Sequence, residues 1–470
     1  MNNVTRITEI DISKQARALA WFRRTEYPLV FFCGFSAIGL LLGLLLDLAV
    51  SFPSADAGTL VLELIASLIL GFVAYTGWRH AGVIDPAVWR TYRVVLPLLV
   101  VFCLFVVALG LLAISGSEAN TLEQVEQEYG EFGAVLFSSV WIGGLALLGW
   151  ILLMLLRRMN ITAMGATVDQ VLLRLAKKAG VTAVKATEIK RINKPRGLVL
   201  GTAGALLLLA SIIVPLLLAP LPNNNESAKQ VQMRTQVRYS SWVLTLLGFS
   251  LLTRAREFFQ VDAGSLLAAD RRPPILFLRS FDDDEKQTYR RSKKAFLDFS
   301  LETRLSNHFS RFGPFVAIGS PNDAVPQLGA ARVLLSDDEW QPRVLNWMRD
   351  ARLIIMYSGT THWVNWELRQ VVKNECATRL ILMMPEIEAL LWARKEEISA
   401  RVEQVREAFK GTSWEEELLC FNDFARLRAM LFRPDGSMVM VRSRSHSRDS
   451  YHLAALVAHQ ILIDSDVLNH

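Results

Sequence analysis

Side chains able to do chemistry gather in the second half of the chain, in three polar stretches that each follow a short apolar run. Ser280-Phe281-Asp282-Asp283-Asp284-Glu285 comes after Ile275 to Arg279, Gly319-Ser320-Pro321-Asn322-Asp323 after Phe315 to Ile318, and Ser358-Gly359-Thr360-Thr361-His362-Trp363 after Leu353 to Tyr357. Asp282, Asp283 and Asp284 offer carboxylates that could coordinate Mg²⁺, but an acidic run is ordinarily a solvated loop, so no metal is assigned. His362 titrates near neutrality and is a secondary acid–base candidate. Arg442-Ser443-Arg444-Ser445-His446-Ser447-Arg448 could contact phosphate; it is short and sits in a charge-balanced half, so it reads as a surface loop without a nucleic-acid partner. Cys33 and Cys103 lie in apolar runs, and Cys376 and Cys420 are isolated, which fits neither a zinc site nor a disulfide framework.

A frame is needed to bring these stretches together. From Pro274 short apolar runs alternate with helix-period segments, the pattern of an α/β unit with a mostly parallel sheet. Ile275 to Arg279, Phe315 to Ile318, Leu353 to Tyr357, Leu380 to Met384 and Met438 to Val441 read as buried strands, with Val333 to Leu335 a further short one. Leu297, Leu301, Leu305 and Phe309 recur every four residues on one helix face, and Gly313-Pro314 is the expected stop. Trp340 to Asp350 and Ile387 to Phe409 read as further helices. Open α/β sheets bind ligands outside the carboxyl ends of their strands, so one cleft is expected to hold all three polar stretches.

The first half is of another kind. The 470 residues are 52% hydrophobic and 20% charged, with a mean hydropathy of +0.28, which excludes a disordered or collagen-like chain and calls for a lipid-embedded part. A cut between Leu252 and Thr253 leaves 21 Lys+Arg against 15 Asp+Glu before it and 30 of each after it, so the whole +6 belongs to the apolar half, as expected of loops beside anionic headgroups. Pro28 to Val50, Thr59 to Trp78, Val94 to Ile114, Phe132 to Leu156 and Gly197 to Ala219 each approach the roughly 20 residues of a spanning helix. Trp242 to Leu252, extended from Val237 to Thr253, makes a sixth. Lys+Arg number 5 before the first span, then 0, 3, 0, 10 and 3 by loop, an alternation that puts both termini in the cytoplasm.

The first run lacks a small-residue cleavage site and reads as an anchor. Asp47 and Glu63 fall near span ends, which disfavours a channel or coupled transporter. Arg157 to Arg196, with ten basic residues around Val171, Leu172, Leu173, Leu175 and Ala176, reads as a cytoplasmic helical hairpin obeying the positive-inside rule. The expected organisation is a cytoplasmic segment 1–27, a six-helix transmembrane domain 28–253, a juxtamembrane linker 254–273 and a cytoplasmic domain 274–470.

Four pieces of that last domain follow one another in order: Phe277-Leu278-Arg279-Ser280-Phe281-Asp282-Asp283-Asp284; Asn322-Asp323-Ala324-Val325-Pro326 with Gly329 close behind; Arg349-Asp350-Ala351-Arg352 leading into Leu353 to Ser358; and Trp363-Val364-Asn365-Trp366-Glu367-Leu368. Together they resemble a Toll/interleukin-1 receptor (TIR) domain of a diverged bacterial branch. The first is similar to its Phe-Leu-Ser-Phe strand and acidic loop, the second to its Arg-Asp-x-x-Pro-Gly loop, and the last to its Trp-x-x-x-Glu-Leu element. Arg279 is inserted before the family's serine, Asn322 replaces its arginine and Val364 its common cysteine. The resemblance implies a flavodoxin-like (TIR-like) α/β domain joined to the polytopic helical membrane domain.

It also implies cleavage of the nicotinamide–ribose bond of NAD⁺, which is substrate and not cofactor. Glu367 would be the catalytic carboxylate that stabilises an oxocarbenium-like ribose. Arg279, Ser280, Phe281, Asp282, Ser358, Trp363 and Trp366 would line the substrate cleft, with Phe281 or Trp363 offering a ring face and Arg279 a phosphate contact. Asp323, Pro326 and Gly329 would form a loop through which copies self-associate. Two functions follow: a membrane-anchored NAD⁺ hydrolase, acting as an antiviral defence or cell-death effector in a bacterial inner membrane, or a non-catalytic assembly module recruiting cytosolic partners to a membrane sensor.

Overall fold

The structure is a computed structural model that describes residues 7–50, 57–80, 86–115, 122–178, 194–218, 243–245, 247–252, 254–255, 258–259, 261–279, 300–319, 329–334, 339–384, 391–465 and 467–468. Strand β1 (Ile7–Asp11) passes directly into a 38-residue helix, α1 (Ser13–Val50). The Asp11 carboxylate accepts the Ser13 N–H at 2.8 Å, satisfying one of the helix's unpaired amides. At 1.5 Å per residue α1 is about 57 Å long, and it continues through Pro28. Helices α2 (Ala57–His80), α3 (Pro86–Ser115) and α4 (Leu122–Arg158) follow, then a ribbon of β2 (Asn160–Ile161) and β3 (Ala166–Thr167), α5 (Val168–Lys178) and α6 (Lys194–Leu218).

Among the described residues two stretches are long and apolar enough to cross a membrane, Val88–Ala108 in α3 and Ser139–Arg158 in α4. Val243–Leu252 is a shorter apolar helix, so two of the six expected spans meet that test. Their outer faces suit lipid: Val94, Leu98, Val101 and Leu104 on α3, and Val140, Leu147, Ile151 and Leu155 on α4, are exposed, a run of apolar surface far beyond what water-facing helices carry.

The second half builds α7 (Ala263–Ala269), β4 (Ile275–Leu278), α8 (Leu301–Phe309), β5 (Phe315–Gly319), β6 (Ala331–Leu334), α9 (Trp340–Asp350), β7 (Leu353–Tyr357), α10 (His362–Lys373), β8 (Leu380–Met383), α11 (Leu391–Ala408), α12 (Glu415–Cys420), β9 (Leu427–Phe432), β10 (Met438–Arg442) and α13 (Arg448–Asp464). Eight strands form one sheet in the order β1-β10-β9-β8-β7-β4-β5-β6. The five from β8 to β6 are parallel throughout; β9 is antiparallel to both neighbours. The Pro434-Asp435-Gly436 turn sets β10 antiparallel to β9: Gly436 takes φ +81°, Asp435 accepts the Ser437 N–H at 2.9 Å, and the chain folds straight back as a hairpin. Setting β6 aside, β5-β4-β7-β8-β9 follows the 2-1-3-4-5 order of flavodoxin-like sheets, with the fifth strand reversed, β6 added at one end, and β10 and β1 at the other.

One of those extra strands departs from the expected organisation. The segment expected to be a separate cytoplasmic stretch, 1–27, supplies β1, which pairs in parallel with β10 from Ile7↔Met438 to Asp11↔Arg442. The basic run Arg442 to Arg448 is the anchor for this: Arg442 is ion-paired with Glu9 and Asp423, the Ile12 N–H bonds the Arg442 carbonyl at 2.9 Å, and Ser13 Oγ accepts the Arg444 N–H at 2.8 Å.

Side chains alternate across the sheet. Ile275, Phe277, Phe315, Leu353 and Ile355 join α8 and α13 on one face; Leu276, Leu278, Val316, Ile354 and Met356 join α9, α10 and α11 on the other. α13 is buried along its whole length from Asp449 to Ile463 because α1 and α5 cover the side the sheet does not. In the basic hairpin, α5 directs Val168, Val171, Leu172 and Leu175 inward at helical spacing, and Arg174 reaches Asp464 at 3.5 Å.

Two predictions follow from this packing. Ile10 is 2% exposed and its partner face is the core, so Ile10→Ala lowers stability by about 2–4 kcal/mol, while Glu9→Ala costs less than about 1; chemical denaturation of the detergent-solubilised chain measures both. His308 of α8 and His452 and His459 of α13 are buried together, and burial, with cations nearby, holds their ring pKa values below the usual 6.5, His459 at about 3. The unfolded chain therefore binds protons that the folded one does not. Their contribution is whole above pH 6.5 and is lost as pH falls toward 3, at up to about 1.4 kcal/mol per pH unit for each ring. The melting temperature is expected to drop between pH 7 and 5, and His459→Gln to flatten that drop.

Candidate functional site

The chain leaves β4 for β5 on one side and returns to β7 on the other, so the connections diverge between β4 and β7. A crevice outside the carboxyl ends of such a strand pair is where open α/β sheets take ligands. Arg279 follows β4 and Ser358 follows β7. Arg279 keeps the parity of Ile275 and Phe277, which sends its side chain toward α8. There its Nε lies 3.4 Å from Glu302 Oε2.

Glu302 is the hub of this cluster. Both its oxygens accept from Arg332 at 2.9 Å, and Oε1 also accepts the Ala330 N–H at 3.0 Å. Burial raises its carboxyl pKa, but the charges of Arg332 and Arg279 outweigh it and hold the group below the usual carboxylate range. Removing one partner of such a buried set costs about 3–5 kcal/mol. Arg279, expected to reach a substrate phosphate, is thus 5% exposed and engaged by a carboxylate of its own chain. Gly329, expected in an assembly loop, backs onto the same group: a Cβ there would lie 2.5 Å from Glu302 Cγ, and its carbonyl accepts the Ser306 hydroxyl at 2.9 Å.

Glu367 owes its position to helical periodicity. Thr361 caps α10, its hydroxyl accepting the Val364 N–H, and Val364, Glu367, Leu368 and Val371 fall at i, i+3, i+4 and i+7, the buried stripe of that helix. Glu367 is 7% exposed and its Oε2 has no hydrogen-bond partner. Burial pushes its pKa up, the Arg279 charge pulls it down, and the outcome is about 8. At neutral pH the carboxyl is therefore mostly protonated in this arrangement.

Around it stands an aromatic corner. Trp340, opening α9, meets Trp363 edge-on at 5.0 Å and Trp366 at 5.1 Å between ring centroids. Trp363 is 47% exposed and also meets the His362 ring at 4.9 Å, so it retains surface for a planar ligand. Ser358 is buried: its hydroxyl lies 3.1 Å from Met384 Sδ, and its carbonyl accepts from Arg401 of α11, which is ion-paired with Glu397 at 2.5 Å. It serves the joint between β7 and α11.

Ser280, Phe281 and Asp282, and Asp323 and Pro326 of the second loop, lie outside the described residues. Among the described residues no cluster of His, Cys, Asp or Glu could hold a metal ion, and all four cysteines are free. Glu302, Arg332, Arg401 and Trp340 were not singled out by their sequence context. Glu302 carried a signal, since the spacing that turns Leu305 and Phe309 inward turns it inward too. No protein-family model matches the chain, and no curated protein and no solved structure matches it.

The raised pKa fixes a sign. A carboxyl favoured in its protonated form by folding contributes fully below pH 4.5, and the contribution is lost as pH rises toward 8. Glu367→Gln removes that loss. The variant is expected to be more stable than the unaltered protein at pH 9, by on the order of 1–4 kcal/mol, with the advantage shrinking as pH falls to 5; differential scanning calorimetry across pH measures it.

Proposed function

We propose that the chain is a membrane-anchored, TIR-like NAD⁺ hydrolase with Glu367 as its reacting carboxylate, a bacterial inner-membrane effector that depletes the cofactor in defence or cell death. The supporting observation is Glu367 itself, a buried carboxyl with an unpartnered oxygen beside the β4–β7 divergence, four residues from the half-exposed ring of Trp363. In the reaction the N-glycosidic bond of NAD⁺ breaks, its electron pair neutralises the nicotinamide ring, and water adds to the ribose carbon with loss of a proton. Ionised Glu367 stabilises the cationic ribose between these events. Nicotinamide leaves as a neutral molecule, so no strong general acid is needed.

The membrane arrangement belongs to the same reading. β1 precedes α1, and α5 packs on α13, so residues 7–11, 168–178 and 448–464 share one side. With α1 to α4 crossing four times, a crossing by α6 needs a return before Ala263, and Val243–Leu252 is the apolar helix available for it. Six crossings put that shared side in the cytoplasm by the distribution of basic residues.

One observation favours a non-catalytic assembly module instead: in this arrangement Glu367 is buried, which pushes its pKa up toward the neutral form, and Arg279 is held by Glu302. Nicotinamide release from NAD⁺ by the full-length protein, crowded in liposomes, separates the two. The hydrolase reading expects release that rises with pH through about 8 and falls at least about 10²-fold in Glu367→Gln. Silence of both forms under crowding, with both folded, leaves the assembly module.

A further inference from the structure

We propose that the outward-facing arginines of α1, α3 and α4 form a binding surface for anionic phospholipid headgroups. The proposal rests on the membrane arrangement above and is independent of what Glu367 does.

On each of these helices one exposed stripe changes character along its length. On α3 it runs from Val101 through Leu98 and Val94 to Arg90, with Arg93 beside it; on α4 from Ile151 through Leu155 to Arg158; on α1 from Phe31 back through Arg24 and Trp21 to Arg17. Steps of three, four or seven residues keep each stripe on one helix face, so its apolar and basic groups point the same way. Lipid tails covering the apolar part bring their headgroups to the basic part.

The basic ends also share a height. Gly149 of α4 faces Leu96 of α3 and Thr25 of α1, so Arg24 and Arg93 both lie within one turn of that level. Gln15 of α1 donates to the Asn160 carbonyl just after α4, which sets Arg17 level with Arg158 in a second tier, about 12 Å nearer the sheet. Trp21, 55% exposed, stands between the tiers, and the Arg24 guanidinium lies 5.1 Å from its ring centroid. An amphipathic ring at such a height suits the boundary between tails and headgroups.

The chain supplies carboxylates to the inward arginines and none to the outward ones. Arg23 pairs with Glu26, and Arg157 with Asp169 at 3.2 Å. Their outward neighbours Arg24 and Arg158 have no carboxylate partner among the described residues. Arg17 and Arg90 donate only to their own helices, to the Ser13 and Pro86 carbonyls at 3.4 Å each. Glu26 is the sole acidic residue from Ser13 to Leu46 and it is buried, and α3 carries none. Five cations thus border a surface suited to lipid tails, and a phosphodiester is the anion that a guanidinium fork fits. A zwitterionic lipid neutralises its own phosphate, so the surface favours lipids with net negative charge.

The test measures the lipid at the protein's boundary. Full-length protein is reconstituted in phosphatidylcholine vesicles carrying a trace of spin-labelled phosphatidylglycerol or spin-labelled phosphatidylcholine, and electron paramagnetic resonance reads the immobilised fraction of each. The association constant of phosphatidylglycerol is expected to exceed that of phosphatidylcholine by about 2–5-fold, and to approach it at about 1 M salt. Arg24→Gln with Arg158→Gln is expected to lower the preference by about 2-fold, with circular dichroism unchanged. Lys177→Gln with Lys178→Gln, which removes as many exposed charges from the end of α5, is expected to leave it unchanged. Equal immobilisation of the two lipids by the unaltered protein overturns the proposal, as does a preference that salt leaves intact or that the lysine pair lowers as much as the arginine pair does. Protein stripped from the vesicles by alkaline carbonate would overturn the membrane reading itself; protein retained without a preference removes the headgroup surface alone.

Discussion

Where α1, α3, α8 and α13 meet, four charges and two phenols are buried together, and none of the four elements can move without exposing or stranding one of them. Arg23 pairs with Glu26, Glu26 accepts from Tyr92, and Arg304 is shared by Asp449 and Tyr27. An unpaired charge in such a place is far more costly than the pair is stabilising. The junction therefore acts chiefly as a constraint on geometry. It ties the helices of the first half to the sheet domain near the start of the apolar stretch of α1.

That constraint explains why the sheet domain is not a bead on a tether. The N-terminal strand enters the sheet at its far edge beside β10, the helix that follows it runs on into the first apolar span, and α13 is enclosed by sheet, α1 and α5. One apolar core continues from Leu99 on α3, through Phe22 on α1 and Leu453 on α13, to Phe277 in the sheet. Force on α1 must reach the sheet, because the packing between them is as continuous as the inside of either.

The site at the β4–β7 divergence inherits the same logic on a smaller scale. Glu302 collects two arginines and a backbone amide, which leaves Glu367 dependent on burial and on whatever share of the Arg279 charge remains. Nearby, three tryptophans pack edge-to-face around α9 and α10 and leave one ring partly open. The result is a carboxyl whose ionisation is set first by its burial, with the Arg279 charge opposing it.

Much of this was legible from residue order. The strands from Ile275, Phe315, Leu353, Leu380 and Met438 and the helix at Trp340–Asp350 stand where short apolar runs and helical spacing put them, because those periods follow from backbone geometry alone. The burial of Glu367 is likewise implicit in the spacing of Val364, Leu368 and Val371. Three things were not. β1 has too few residues to mark itself as a strand of a sheet whose other members begin over 250 residues later, and α13, buried on every side with polar residues among the buried ones, lacks the one-sided pattern that marks a helix. The pairing of Arg279 with Glu302 depends on which way each side chain points once two separate elements are docked. Local periodicity is a property of neighbouring residues and can be read along the chain; the partners of a buried charge are chosen by contacts between distant segments, so only the tertiary structure decides them.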